Sequence, residues 1–117
     1  MFADPITVTV NSVAKNLVRI NQDTYGSEYF LREATMEWRL KIRNTSYTKA
    51  GVLVDRHNFE FTNLVYATST APAIERKIYL VFEVGRSDTD AAALQAFNGF
   101  VAFCTSANLA KGLNYES

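Results

Sequence analysis

The chain has 117 residues, 48% apolar and 21% charged, which excludes wholesale disorder and fits one globular domain, 1–117. Twelve Lys and Arg balance twelve Asp and Glu, which excludes a generic polycationic nucleic-acid coat; any polyanion contact must come from local charge segregation. Aromatics reach 13%, a heavy load for a small domain with limited interior, and point to apolar area reserved for a partner.

Residues Pro5 to Val10 alternate β-branched side chains and predict a strand. Asn11-Ser12 reads as a turn, and Val13 to Asn21 returns to make an N-terminal β-hairpin. Gln22 to Gly26 is a polar break, and Ser27 to Glu33 suits a strand or a pair of helical turns, periodicity not deciding between them, with strand preferred. From Met36 to Asn44, Met36, Trp38, Leu40 and Ile42 alternate with Glu37, Arg39, Lys41 and Arg43, the pattern of a half-buried antiparallel strand. Ser46 to Gly51 is expected to be a loop. Arg56 to Tyr66 repeats the alternation, with His57, Phe59, Phe61 and Asn63 opposite Arg56, Asn58, Glu60 and Thr62. Ala67 to Glu75 reads as a small-residue loop around Pro72. In Lys77 to Arg86, Ile78, Leu80, Phe82 and Val84 alternate with Lys77, Tyr79, Val81 and Glu83.

The period then changes. Ser87 is the expected N-cap of a helix from Ala91 to about Thr105, with Asp88 and Asp90 at its positive end. Leu94, Phe97 and Val101 form one stripe, but Ala93, Ala96, Phe100 and Phe103 extend it round the cylinder, so the helix is expected to be buried on more than one side. Gly99 costs ~1 kcal/mol relative to Ala, tolerable where a neighbour approaches closely. A short second helix, Ser106 to Leu113, follows. Strands first and helices last, without βαβ alternation, predict an α+β fold built on an antiparallel β-sheet with two C-terminal α-helices.

No phosphate loop, nucleophile elbow or metal-ligand spacing is present, so no enzyme activity, cofactor, metal or small-molecule substrate is expected. Cys104 and His57 are the only residues of their types; His57 reads as a packed or interface histidine and Cys104 as a structural thiol on the apolar helix. Glu37, Glu60 and Glu83 share the polar sheet face among cations and read as ion-pair partners. A lyase or isomerase using Glu60 or His57 is the third-ranked alternative. No apolar run reaches the ~18 residues of a membrane span, and the start lacks the basic and apolar regions of a signal peptide; a cytosolic chain without membrane partners is expected.

The polar strand face gathers Arg39, Lys41, Arg43, Asn58, Glu60, Thr62, Lys77, Tyr79 and Glu83. Cations suit phosphates, amides and hydroxyls suit base edges, and a ring suits stacking. An ordinary solvated sheet face carries similar residues, and alternation alone does not choose between them. The apolar face is larger than one helix can shield, and the helix is itself apolar beyond one face. Both surpluses vanish in an intertwined homodimer in which Leu94, Phe97, Phe100, Val101 and Phe103 lie over the partner's sheet.

This order of hairpin, long antiparallel strands, small-residue loop and two helices resembles the coat proteins of single-stranded RNA bacteriophages over essentially the whole chain. The resemblance implies a capsid protein built from homodimers into an icosahedral shell, found in the virion and assembled in the host bacterial cytoplasm. It implies single-stranded RNA as a partner, bound on the polar face, including a genomic hairpin through which such proteins repress translation. It also makes Thr68, Ser69, Thr70, Ala71 and Pro72 an inter-dimer loop. The arginine-rich strand departs from the pockets of Thr, Ser, Lys and Tyr that hold adenine in better-known members. The alternative is a dimeric α+β module that binds RNA or another ligand without forming a shell.

Overall fold

The computed structural model describes all 117 residues as six antiparallel strands followed by two helices. The strands are β1 (Ile6–Val10), β2 (Val13–Gln22), β3 (Gly26–Arg32), β4 (Met36–Lys49), β5 (Val52–Val65) and β6 (Ile74–Gly85); the helices are α1 (Asp90–Phe103) and α2 (Ser106–Leu113). Each strand pairs with its sequence neighbour, in the order β1-β2-β3-β4-β5-β6.

Two tight turns set the registers. Asn11 and Ser12 both have positive φ, 50° and 65°, as do Ala50 and Gly51, 51° and 78°; two left-handed residues make the turn whose twist matches a hairpin. The second turn corrects the loop expected at Ser46 to Gly51. Ser46 pairs with Asp55, Tyr47 with Val54 and Lys49 with Val52, so the hairpin stays closed to its tip. Likewise Ile74 and Glu75 are not loop but the start of β6, opposite Val65 and Leu64.

A register shift between Arg19 and Asn21 breaks the β2–β3 ladder. Such an irregularity bends a strand, and here the β1–β2 hairpin curls over the apolar face. Leu17, Tyr29, Trp38 and Ile42 form the buried core, with Ile6, Val8 and Val10 packed against them. The Tyr29 hydroxyl accepts from the Arg19 guanidinium at 3.1 and 3.2 Å. Arg19 Nη2 also donates to the Phe2 carbonyl at 2.8 Å, while the Phe2 ring stands edge-on to Phe59. Buried Asn63 donates to the Glu37 carbonyl and accepts from Arg76, so its polar atoms are satisfied.

Thr89, not Ser87, caps α1: its hydroxyl accepts from Ala92 N at 3.3 Å. Asp88 instead accepts from the Thr89 amide, which leaves Ser87 in the preceding turn. The helix stops at Phe103, so Cys104 is its exposed C-cap and not a residue of the apolar face. Thr105 caps α2, whose hydroxyl accepts from Asn108 N.

Only six side chains of the chain are buried, one of them on a helix, Ala93. The radius of gyration is 17.0 Å, against about 13 Å for a compact domain of this size. α1 touches its own sheet where Phe97 meets Phe82, with ring centroids 5.3 Å apart.

Candidate nucleic-acid interface and association surfaces

The registers sort the long strands into two faces. Ile42, Phe59 and Leu80 lie in one cross-strand row on the apolar face; Lys41, Glu60 and Tyr79 lie in the next row on the opposite face. All nine polar residues expected to share a surface, from Arg39 to Glu83, are on that second face by register. Strand β3 adds Glu28, Phe30 and Arg32, across from Lys41, Arg39 and Glu37. Sequence reading left these three unassigned, because the face of a short strand depends on its register with β4.

Most cations of this face are engaged. Arg39 pairs with Glu28 and with Glu37, the latter at 3.5 Å, and its guanidinium lies 4.8 Å from the Phe30 ring centre. Lys77 Nζ sits 3.1 Å from Glu75 and 3.3 Å from Glu60. These bonds, to Glu75 first and then Glu60, hold the Lys77 ammonium above the usual lysine range. Arg39 is likewise held protonated above its usual range, chiefly by its bond to Glu28. Arg56 lies 3.9 Å from Glu83, which also accepts from the Tyr47 hydroxyl at 2.7 Å. Arg43 reaches exposed Asp23 at 3.7 Å. The carboxylates Glu37, Glu60 and Glu83 are thus ion-pair partners, as their placement among cations implied.

Lys41 is different. It lies between Glu28 and Glu60 in the cross-strand row, yet neither carboxylate is its ion-pair partner. Beyond Glu60 in that row Tyr79 presents an exposed ring, and diagonally across from Lys41 Thr62 carries a hydroxyl, while the Asn58 side-chain oxygen is buried without a hydrogen-bond partner.

Glu60 and His57 point to opposite faces of β5, so they cannot act on one substrate atom. His57 Nδ1 lies 2.7 Å from Asn44 Oδ1 and its ring packs beside Phe82, the role of a packed histidine.

On α1, Phe100 and Phe103 stack on each other at 6.0 Å and remain 61% and 60% exposed. Leu94 and Val101 are also exposed; Phe97 is the member of the expected association set that packs on its own sheet. A Cβ at Gly99 would meet nothing within 4 Å, so no segment of this chain makes the close approach that residue allows. Between β6 and α1 runs an apolar groove of about 500 Å³ lined by Leu80, Phe82, Leu94, Phe97, Phe100 and Val101. The outer edge of β6 has no strand beside it. Thr68 to Pro72 are all exposed in the β5–β6 connection, where Thr68 and Ala71 close a small turn on each other.

No curated protein matches the chain. The sequence model of the family described as phage phiCb5, coat protein, matches residues 3–85, which spans all six strands and stops where β6 ends.

Proposed function

The chain belongs to the phage phiCb5 coat protein family, and on that premise we propose that it builds an icosahedral shell from homodimers around single-stranded RNA. As a phage coat protein it is a structural protein of the capsid. The observation that carries the dimer is the helix α1, whose Phe100 and Phe103 have no receptor on their own chain. Apolar side chains exposed in a contiguous patch mark an association surface. A second chain supplies the receptor: its helix covers the groove beside β6, and the open β6 edge accepts a strand.

The RNA reading rests on the polar face. Lys41 is free of carboxylate partners, Arg43 follows it on the same strand face, and Tyr79 offers a ring to a base. Ammonium and guanidinium groups neutralise phosphates, and ring stacking holds bases of any identity. The same face serves packaged RNA and a genomic hairpin, which extends the reading to translational repression.

Gel filtration and negative-stain microscopy of the purified protein test the shell directly. Megadalton particles rich in nucleic acid are expected. A small dimer that never assembles supports a binding module instead and removes the shell. Particles free of RNA keep the shell and remove the RNA reading. Tyr79→Ala is expected to weaken RNA binding by roughly 1–3 kcal/mol.

A further inference from the structure

Register and ion pairing disagree on the polar face in an informative way. Glu28, Lys41, Glu60 and Tyr79 occupy one cross-strand row, and Phe30, Arg39, Thr62 and Lys77 the next. Direct cross-strand pairing would give Lys41 two carboxylates. Instead Glu28 turns diagonally to Arg39 and Glu60 turns diagonally to Lys77. Glu37 and Glu75 complete the two clusters from the far side. Each cluster sets two carboxylates against its paired cation, and on the Arg39 side exposed Arg32 stands across from Glu37 and over the same Phe30 ring at 5.6 Å. The ion-paired side chains are about one-third exposed or less, apart from Glu75. Lys41, between the clusters, has no ion-pair partner.

We propose that Glu28 and Glu60 are specificity-determining residues of this face, holding Arg39 and Lys77 away from phosphate so that an RNA backbone is steered from them toward Lys41 and Arg43. The inference rests on the RNA-binding reading of the same face. A phosphodiester that approaches Arg39 or Lys77 meets two carboxylates before it meets the cation. It must break both ion pairs and bear the repulsion of the acids it displaces. A phosphate over Lys41 breaks none, and one over Arg43 disturbs only its long, exposed contact with Asp23. Repulsion of wrong placements is how a charged surface discriminates without added affinity, and it suits a chain whose formal net charge is zero. The rings beneath the cations strengthen the hold: Phe30 lies under Arg39, and Tyr79 beside Lys77 at 5.8 Å.

The test uses the full-length protein and a short uridine oligonucleotide, with binding followed by fluorescence anisotropy across a salt series. Glu28→Gln and Glu60→Gln keep shape and one accepting oxygen but remove charge. Each is expected to tighten uridine binding by about threefold to tenfold at low salt, and the double variant by the product. The log–log salt slope should steepen by about 0.7 for each cation released to phosphate. Lys41→Ala should weaken binding and flatten the slope. Glu37→Gln and Glu75→Gln probe the same clusters from their other side and serve if either first variant fails to fold. If Lys41→Ala weakens binding while the glutamine variants bind no tighter than the parent, this inference alone is overturned. If the parent binds without salt dependence, or Lys41→Ala changes nothing, the RNA reading of the face is overturned and the inference with it.

Discussion

The Arg86 guanidinium grips the Asp55 carboxylate with two bonds, Nη2 to Oδ1 at 2.7 Å and Nε to Oδ2 at 3.3 Å. Arg86 follows the last residue of β6, so the pair fixes the chain to β5 just before it departs toward α1. The Ser46 hydroxyl donates to the same carboxylate at 2.7 Å. Arg86 first, then Ser46, hold the Asp55 carboxyl at about 2, below its ordinary 3.8.

A depressed carboxylate stabilises the fold above its unfolded value and loses that contribution as pH falls through its folded value. The Asp55 contribution is therefore complete above pH 3.8 and lost toward about pH 2. Thermal melts across that window are expected to show an acid-sensitive component that Asp55→Asn removes. An identical acid limb in the variant refutes the role, and NMR titration of the Asp55 carboxyl gives its pKa directly.

Phe100→Asp places a charge in the surface assigned to the second chain. Burying an unpaired carboxylate there is unfavourable, whereas on a free helix it faces water at little cost. Sedimentation velocity is expected to show loss of the dimer. If the variant associates as the parent does, α1 does not form the interface.

Gly26 tests the sheet itself. A Cβ at this position would lie 2.7 Å from the Ile42 carbonyl oxygen, backbone that no side-chain rotation can move. Gly26→Ala must push β3 from β4, and a loss of about 1–3 kcal/mol is expected. Denaturant titration measures it; a variant as stable as the parent contradicts the close β3–β4 approach.

Deleting Thr68 to Ala71 shortens the β5–β6 connection but leaves Tyr66, Ala67, Pro72 and Ala73 to join Val65 to Ile74, which pair directly. A four-residue connection still closes a hairpin. The dimer is expected to fold with an unchanged melt, while particles change in size or fail to form. Parent-like particles by electron microscopy would remove this loop from assembly.

Much of the sheet was legible because alternation is a local property. Met36 to Ile42 and Phe59 to Asn63 declare their faces by residue type every second position, and the tertiary fold obeys them. The exposed apolar side chains of α1, Leu94, Phe100, Val101 and Phe103, were legible for the same kind of reason: an apolar surplus shows in composition. Turn geometry was less so. Ala50-Gly51 does not announce that β4 continues through Tyr47 to Lys49, since the polar residues before it suit a loop or an exposed strand equally. Thr89 displaced Ser87 as the helix cap because both are good caps and only the path of the chain after Gly85 selects one.

By itself, the sequence determined which side chains share a face, where the helices lie, and that the apolar area exceeds what one chain can cover. The tertiary structure alone decided how charge is distributed on the polar face. Arg39, Lys41 and Arg43 are equivalent by alternation, but Glu28 comes from β3, and Glu60 and Glu75 from β5 and β6. Which cation each acid reaches depends on the register and the diagonal offset between strands far apart in the chain. Ion pairing acts over a few ångströms between side chains brought together by folding; periodicity within one strand carries no information about it.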